Sequence, residues 1–395
     1  MKRIYMDYSA GKPVDTRCLE AMGPYNQEIF GNPSSLHLYG REAKEALEKA
    51  REQVAKLVGA TKAKEIIFTS GGTESSNLAI RGVAGRARKK GNHIITSDIE
   101  HVSVLNTCKS LEKEGYQITY LPVDRSGFVD PDSLRQAITP ETILITIIYA
   151  NNEIGTIQPI KDLGVIARAH NIYFHVDGVA AIGQVPIQVE EENIDLLSIS
   201  SNDIYGPKGM GALYIREGAR IVPVSFGGGQ EYGLRSGSEN LPGIVGMGKA
   251  AEIARDELDR KAKHLIALRD NLIAGITSRV KESYLNGHPT KRLPNNINLR
   301  FSYIEGESLI LSLDMMGVSA ATGSACTSKT LEPSRTLLSI GLSEVDAHGS
   351  LVLSLGKATT EEEIDYVLEV LPGIVERLRS MSPLTPKEYI LQKGS

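Results

Sequence analysis

The sequence predicts an α/β protein with a large domain built on a mostly parallel, seven-stranded, helix-covered sheet and a smaller α+β domain after it. Two observations carry that expectation. Seven short apolar runs alternate with helical stretches: Glu65–Ser70, His93–Ser97, Gln117–Val123, Thr142–Ala150, Ile172–Asp177, Ile194–Ser200 and Gly211–Ile215. Strands separated by helices form parallel sheets covered on their faces. After about Leu241 the pattern changes to a long helical region reaching about Val280, then to mixed segments such as Asn295–Phe301, then to a helical Glu361–Arg379. The large domain is expected over 15–255 and the small one over 256–395 together with 1–14.

Ahead of the first strand, Ala43, Ala46, Leu47, Ala50, Val54, Leu57 and Val58 recur at helical spacing, and Gly59 follows as a stop. This predicts one amphipathic helix over 41–58. The segment 380–395 is polar and contains proline, so it is expected to wrap the surface or fray. Gly227-Gly228-Gly229 suits an active-site or interface loop.

Composition bounds the function classes. The 395 residues are 41% hydrophobic and 23% charged, with a net charge of −4. No basic block suggests nucleic acid, and no apolar run reaches the length of a membrane span. Small molecules or proteins are the expected partners. The N-terminal residues lack the pattern of a secretory signal, so a cytoplasmic location is expected. Cys18, Cys108 and Cys326 lie far apart, without a C-x-x-C pair. That argues against a disulfide framework or a self-contained zinc site, and any cysteine chemistry must use a single thiol. Cys18 and Cys108 read as small buried hydrophobes.

Two segments carry candidate chemistry. The run Glu65–Ser70 passes into Gly71-Gly72-Thr73-Glu74 and then a helical stretch. A strand, glycines and a helix N-terminus make an anion site, because free backbone N–H groups and the positive end of the helix dipole converge there. Thr73 as a plain helix cap fits the same letters. The run Ile172–Asp177 ends a buried strand with a carboxylate, at the sheet edge where open α/β folds bind ligands. An acid there can keep a pyridinium nitrogen protonated. A turn residue or helix cap is the alternative.

Ten segments in order resemble those of the cysteine desulfurase family that serves iron–sulfur cluster assembly. They are Asp7-Tyr8-Ser9-Ala10, Gly31-Asn32-Pro33-Ser34, 69–75, Glu100-His101, Asn151–Gly155, Val176-Asp177, Ile204–Gly209, Arg235-Ser236-Gly237-Ser238, Gly323–Ser328 and Thr359–Asp365. The resemblance implies a fold type I enzyme dependent on pyridoxal 5′-phosphate (PLP), working as a homodimer with active sites at the subunit interface, with L-cysteine as substrate and a cluster scaffold protein as partner. It further implies that Thr73 and Ser200 hold the cofactor phosphate beside Gly72, with Ser238 reaching in from the second subunit. Asp177 would pair with the ring nitrogen, His101 would stack on the ring and move protons, and Asn152 would sit near the phenolic oxygen and the substrate carboxylate. Cys326, in a loop of small polar residues, would take the substrate's sulfur as a persulfide, which requires an accessible thiolate.

The same resemblance exposes departures. Where the family carries Ser-x-His-Lys, this chain reads Ser200-Ser201-Asn202-Asp203. Asn202 replaces a histidine that touches the phosphate. Asp203 replaces the lysine whose amine condenses with the cofactor's aldehyde and handles the substrate's α-proton. A carboxylate there offers no amine, so PLP is expected to bind noncovalently and weakly, with little or no turnover. Lys208 has its own counterpart in the family. Ala180 stands for a glutamine, and Val352 for the arginine that clamps the substrate carboxylate in a bidentate contact. Near the N-terminus Ala10-Gly11-Lys12-Pro13 replaces a threonine pair, and Lys12 is a candidate for the missing positive charge. The Cys326 segment is intact, which suggests a second use for its thiol: a ligand to a [2Fe–2S] cluster shared with the scaffold.

Overall fold

The computed structural model of the chain describes residues 3–323, 333–387 and 389. Its strands in chain order are β1 (Ile4–Tyr5), β2 (Ile66–Thr69), β3 (His93–Ser97), β4 (Gln117–Leu121), β5 (Thr142–Ile148), β6 (Tyr173–Asp177), β7 (Leu196–Ser200), β8 (Gly211–Ile215), β9 (Ser283–Leu285), β10 (Asn296–Phe301), β11 (Val318–Ser319) and β12 (Ser350–Ser354). The helices are α1 (Thr16–Met22), α2 (Leu38–Val58), α3 (Gly72–Ala87), α4 (Val102–Lys113), α5 (Pro131–Ala137), α6 (Ile160–Ala169), α7 (Leu241–Asp256), α8 (Leu258–Arg279), α9 (Gly306–Met315), α10 (Arg335–Ser339), α11 (Glu344–His348) and α12 (Glu361–Met381).

All seven expected strands are present in one sheet, in the order β2-β8-β7-β6-β5-β3-β4. Four of its pairings are parallel, and β8 runs antiparallel to both neighbours. Strands β2, β3, β5 and β8 are buried throughout, and β6 is buried beyond Tyr173, which explains their largely apolar character. One core covers one side of this sheet with α2, α6 and α7, and a second packs α3 and α4 against the sheet. A separate core gathers Ile4 and Met6 with α8, α9, α12 and the three-stranded sheet β12-β10-β9.

Helix α2 spans the predicted stretch and ends at Gly59, whose φ of 69° is the left-handed cap that a side chain would strain. It lies directly against α7. A Cβ on Gly248 would stand 2.7 Å from the Cα of Ala50, so this crossing needs glycine. The long helical region predicted over Leu241–Val280 is two helices. The chain breaks at Glu257, which accepts a hydrogen bond from Arg17 of the distant α1 at 2.8 Å. Helix α12 starts in a capping box formed by Thr360 and Glu363. Beyond it, Thr385 donates to the Arg379 carbonyl at 2.7 Å, so the described part of the C-terminal segment packs on the surface. Among the described residues no helix is long and apolar enough to cross a membrane.

One buried ion pair ties the first layer together. Arg51 of α2 meets Glu231 in a two-pronged contact at 2.7 and 2.9 Å, and Glu231 also accepts from the Phe68 N–H of β2 at 2.8 Å. Both side chains are 3% exposed. Removing one partner leaves the other charge uncompensated, which costs about 3–5 kcal/mol. Glu231→Ala is therefore expected to lower the unfolding free energy by about that amount in urea titrations. A loss below about 1 kcal/mol would show that the pair is not the tie it looks.

Candidate functional site

The sheet delivers the site. Strands β2, β3, β5, β6 and β7 all end at the same edge, and the residues that follow them converge on a cavity of about 230 Å³. Its lining includes Gly72, Thr73, His101, Asn152, Asp177, Ser200 and Asp203, so seven of the ten site residues picked from sequence come together. Lys12, Ala180, Ser9, Ser354, Asn295 and Asn296 complete much of the wall.

Gly71 caps α3 with φ 153°, and Thr73 is the second residue of the helix, not its cap. The first-turn N–H groups of α3 therefore face the cavity without a side-chain cap, and this is the end at which an anion is stabilised. A Cβ on Gly72 would stand 2.5 Å from Val179, another wall residue. Asp177, at the end of β6, is 3% exposed and receives one hydrogen bond, from the Val179 N–H at 3.1 Å. Burial pushes its carboxyl above the usual range; His101 opposes that shift and Asp203 adds to it. A buried acid left short of partners suits a protonated ring nitrogen as its counter-group.

His101 caps α4. Its Nδ1 accepts from the Ser103 N–H at 3.2 Å, which leaves the proton of the neutral ring on Nε2. Asn152 is held through its carbonyl, which accepts from Asn296 at 3.1 Å. Arg292 in turn donates to the Asn296 side chain at 2.9 Å. Ser354 donates to Ser9 at 3.1 Å, which joins β12 to the N-terminal segment.

Two expected site residues stand apart from this wall, and a third lies outside the described residues. Asn202 is absent from the described lining because its side-chain carbonyl accepts from the Lys12 N–H at 3.3 Å. Ser238 is exposed and off this chain's cavity. Cys326, the expected persulfide carrier and [2Fe–2S] ligand, lies outside the described residues. Among the described residues no group of acids, histidines or cysteines could hold a metal ion. Val352 is buried in β12 opposite Asn298 and brings no cation to the cavity. Cys18 and Cys108 are buried, with thiols pushed up to about 11 and about 12, so they are the inert hydrophobes anticipated.

Lys12 is what the motifs undervalued. Its Nζ lies 2.9 Å from the Asp203 carbonyl and 3.2 Å from Asp203 Oδ1, and its side chain is 3% exposed. The sequence offered it as a candidate for the missing positive charge, but not its contact with Asp203, which spans 191 positions of sequence. Two buried acids beneath the site were also missed. Glu100 accepts from Ser97 and from the Ile148 N–H, and burial raises its carboxyl to about 8. Glu153 is raised to about 7 by burial, and a Cβ on Gly323 would stand 2.5 Å from its Oε1.

The raised Glu100 carboxyl has a definite sign in stability. The folded protein keeps a proton that the unfolded chain releases near pH 4.5. This contribution is fully present below pH 4.5 and is lost as pH rises toward about 8, at no more than about 1.4 kcal/mol per pH unit. In thermal melts, Glu100→Gln should therefore gain stability relative to the parent between pH 5 and pH 8. A parent–variant difference constant over that window would exclude Glu100 as the titrating group.

Comparison with known proteins agrees with this geometry. The Aminotransferase class-V family profile matches residues 4–367. Cysteine desulfurase IscS 1 of Archaeoglobus fulgidus is 55% identical over 380 residues, 96% of this chain and 99% of its own. Cysteine desulfurase IscS of Methanosarcina thermophila is 56% identical over 388 residues, 98% of this chain and 96% of its own. Among solved structures, a NifS-like protein superposes with a TM-score of 0.89 at 40% identity, covering 95% of this chain and all of the other. SspA in complex with cysteine superposes with a TM-score of 0.79 at 37% identity, covering 90% of this chain and all of the other. With the fold, the cavity and full-length similarity in agreement, this chain belongs to the PLP-dependent cysteine desulfurases of the class-V aminotransferase family.

Proposed function

We propose that the chain serves iron–sulfur cluster assembly as a homodimer that binds PLP and L-cysteine, passes sulfur to Cys326 and works with a cluster scaffold protein. The observation that carries this reading is the convergence of the uncapped α3 N-terminus, the partner-poor Asp177 and His101 on one cavity.

The residues present fit the cofactor in two of its three demands. The α3 N–H groups, Thr73 and Ser200 would hold the phosphate, and Ser238 of a second copy would complete that site. Asp177 would keep the ring nitrogen protonated. The third demand, an amine at position 203, is unmet. PLP, when bound, supplies an electron sink that labilises bonds at the substrate's α-carbon. Around it, His101 Nε2 would hold or return a proton, and Asn152, its carbonyl held by Asn296, would orient the substrate. In the overall transfer the Cβ–S bond of cysteine breaks, an S–S bond forms at Cys326 and alanine leaves.

Slow turnover is the expected behaviour of such a pocket. Alanine release from L-cysteine with added PLP should be weak in the parent and rise by about tenfold or more in Asp203→Lys, since a positioned acid–base group contributes about 10²–10⁴ in rate. Asp177→Asn should weaken PLP binding by about tenfold in equilibrium dialysis, the effect of about 1.4 kcal/mol. Failure of the parent to bind PLP in that dialysis overturns the proposal.

The missing amine also favours a second use of Cys326, as a thiolate ligand to a [2Fe–2S] cluster being built on the scaffold. Cys326→Ser should then impair cluster formation on the scaffold even when sulfide is supplied directly, followed by the visible absorption of the cluster. Undiminished assembly with free sulfide would exclude the ligand role and leave only the persulfide role.

A further inference from the structure

Lys12 lies in the segment between β1 and α1, and its buried side chain reaches across the cavity wall to residue 203. The ammonium has three N–H donors. Two contacts are made to Asp203, at its carbonyl (2.9 Å) and at Oδ1 (3.2 Å), which leaves a donor for the cavity. The backbone of the same residue is tied to the same wall, since Lys12 N–H donates to Asn202 at 3.3 Å. The position is therefore doubly held.

Among the described residues lining the cavity, Lys12 bears the sole primary amine. Of the neighbouring lysines, Lys261 donates to the Gly183 carbonyl and Lys357 to Asp15, and Lys208 is absent from the cavity lining. Taking a lysine out of water costs several kcal/mol, and a tether between loops does not require that charge. An amine in contact with a carboxylate, in a pocket that takes an aldehyde, has a chemical use. Neutral amines condense with carbonyl groups, and an adjacent carboxylate can accept the proton that otherwise blocks the nitrogen.

Resting on the reading that this cavity takes PLP, we propose that Lys12 is its amine: Lys12 Nζ bonds covalently to the cofactor's aldehyde carbon, with Asp203 as the proton acceptor that readies it. Lys12 passes one ammonium proton to Asp203 Oδ1 and gains a free electron pair. That pair forms the N–C bond. The carbonyl oxygen departs as water with the two remaining nitrogen-bound hydrogens, leaving a C=N bond with no change of oxidation state. A lysine reaching from the N-terminal segment thus replaces one reaching from position 203.

The test uses the full-length protein incubated with PLP, reduced with borohydride, digested and mapped by mass spectrometry, with bound PLP measured in parallel by equilibrium dialysis. The expected result is a reduced phosphopyridoxyl group on Lys12. Lys12→Arg keeps the cation and the tether to Asp203 but has no condensing amine, so it should lose the label while still binding PLP and melting as the parent does. In Asp203→Lys the label should appear at position 203. Bound PLP without label on Lys12, or with label on another lysine, overturns this inference and leaves the proposed function standing. Absence of PLP binding in the parent overturns both.

Discussion

A carboxylate carried into the interior at the end of β6, with one backbone hydrogen bond, is the constraint around which this cavity is arranged. An isolated buried charge is costly, and it is relieved by protonation or by a counter-charge. At Asp177, His101 opposes the upward shift that burial causes, and Asp203 adds to it. The wall thus holds two acids against Lys12 and a histidine, a poor match for a phosphate dianion. The α3 N-terminus corrects the balance locally, because its exposed N–H groups act as roughly half a positive charge. That is why Gly71 and Gly72 have to be glycines: one caps without a side chain, the other leaves room for Val179.

Much of the fold was legible because most strands of the large sheet are buried on both faces and therefore read as short, largely apolar runs. Helix α2 was legible for the complementary reason, a single apolar stripe ended by Gly59. The break at Glu257 was not. Neither glycine nor proline marks it, and it coincides with an ion pair to Arg17 that only the folded chain brings close. The same distinction separates the site residues. Gly72, Thr73, His101, Asp177 and Ser200 directly follow or end sheet strands or open helices, where local letters carry meaning. Ser354, Asn295 and Asn296 reach the cavity because the smaller core is packed beside it. Asn202 shows the limit of reading position by position, since its side chain serves the Lys12 backbone instead of the cavity.

The two cores meet through polar side chains that are themselves buried. Arg292 donates to the carbonyl of Ile154 at 3.2 Å and to Asn296, and Asn296 donates to Asn152 and Glu153. Asn298 on β10 donates to the same Glu153 carbonyl at 3.0 Å. Buried polar networks are costly when half satisfied and rigid when complete. This one holds the Asn151–Gly155 turn against β10, so the orientation of Asn152 depends on residues far from the chemistry. A truncation at Arg292 would loosen the site without touching the cavity.

The Lys12–Asp203 pair separates stability from function. Two unit charges 3.2 Å apart attract by about 5 kcal/mol at an effective dielectric constant near 20, and the desolvation of both ions is of similar size. The pair therefore roughly breaks even. Replacing both residues with apolar ones of similar volume would hold the fold about as well. What such a replacement could not supply is a protonatable amine in the cavity wall with an acceptor beside it. The stability of the fold does not account for an ammonium buried at this wall, whereas the chemistry of an aldehyde-binding cavity does. On the proposed reading, the carboxylate at position 203 is the proton acceptor that a reactive Lys12 requires.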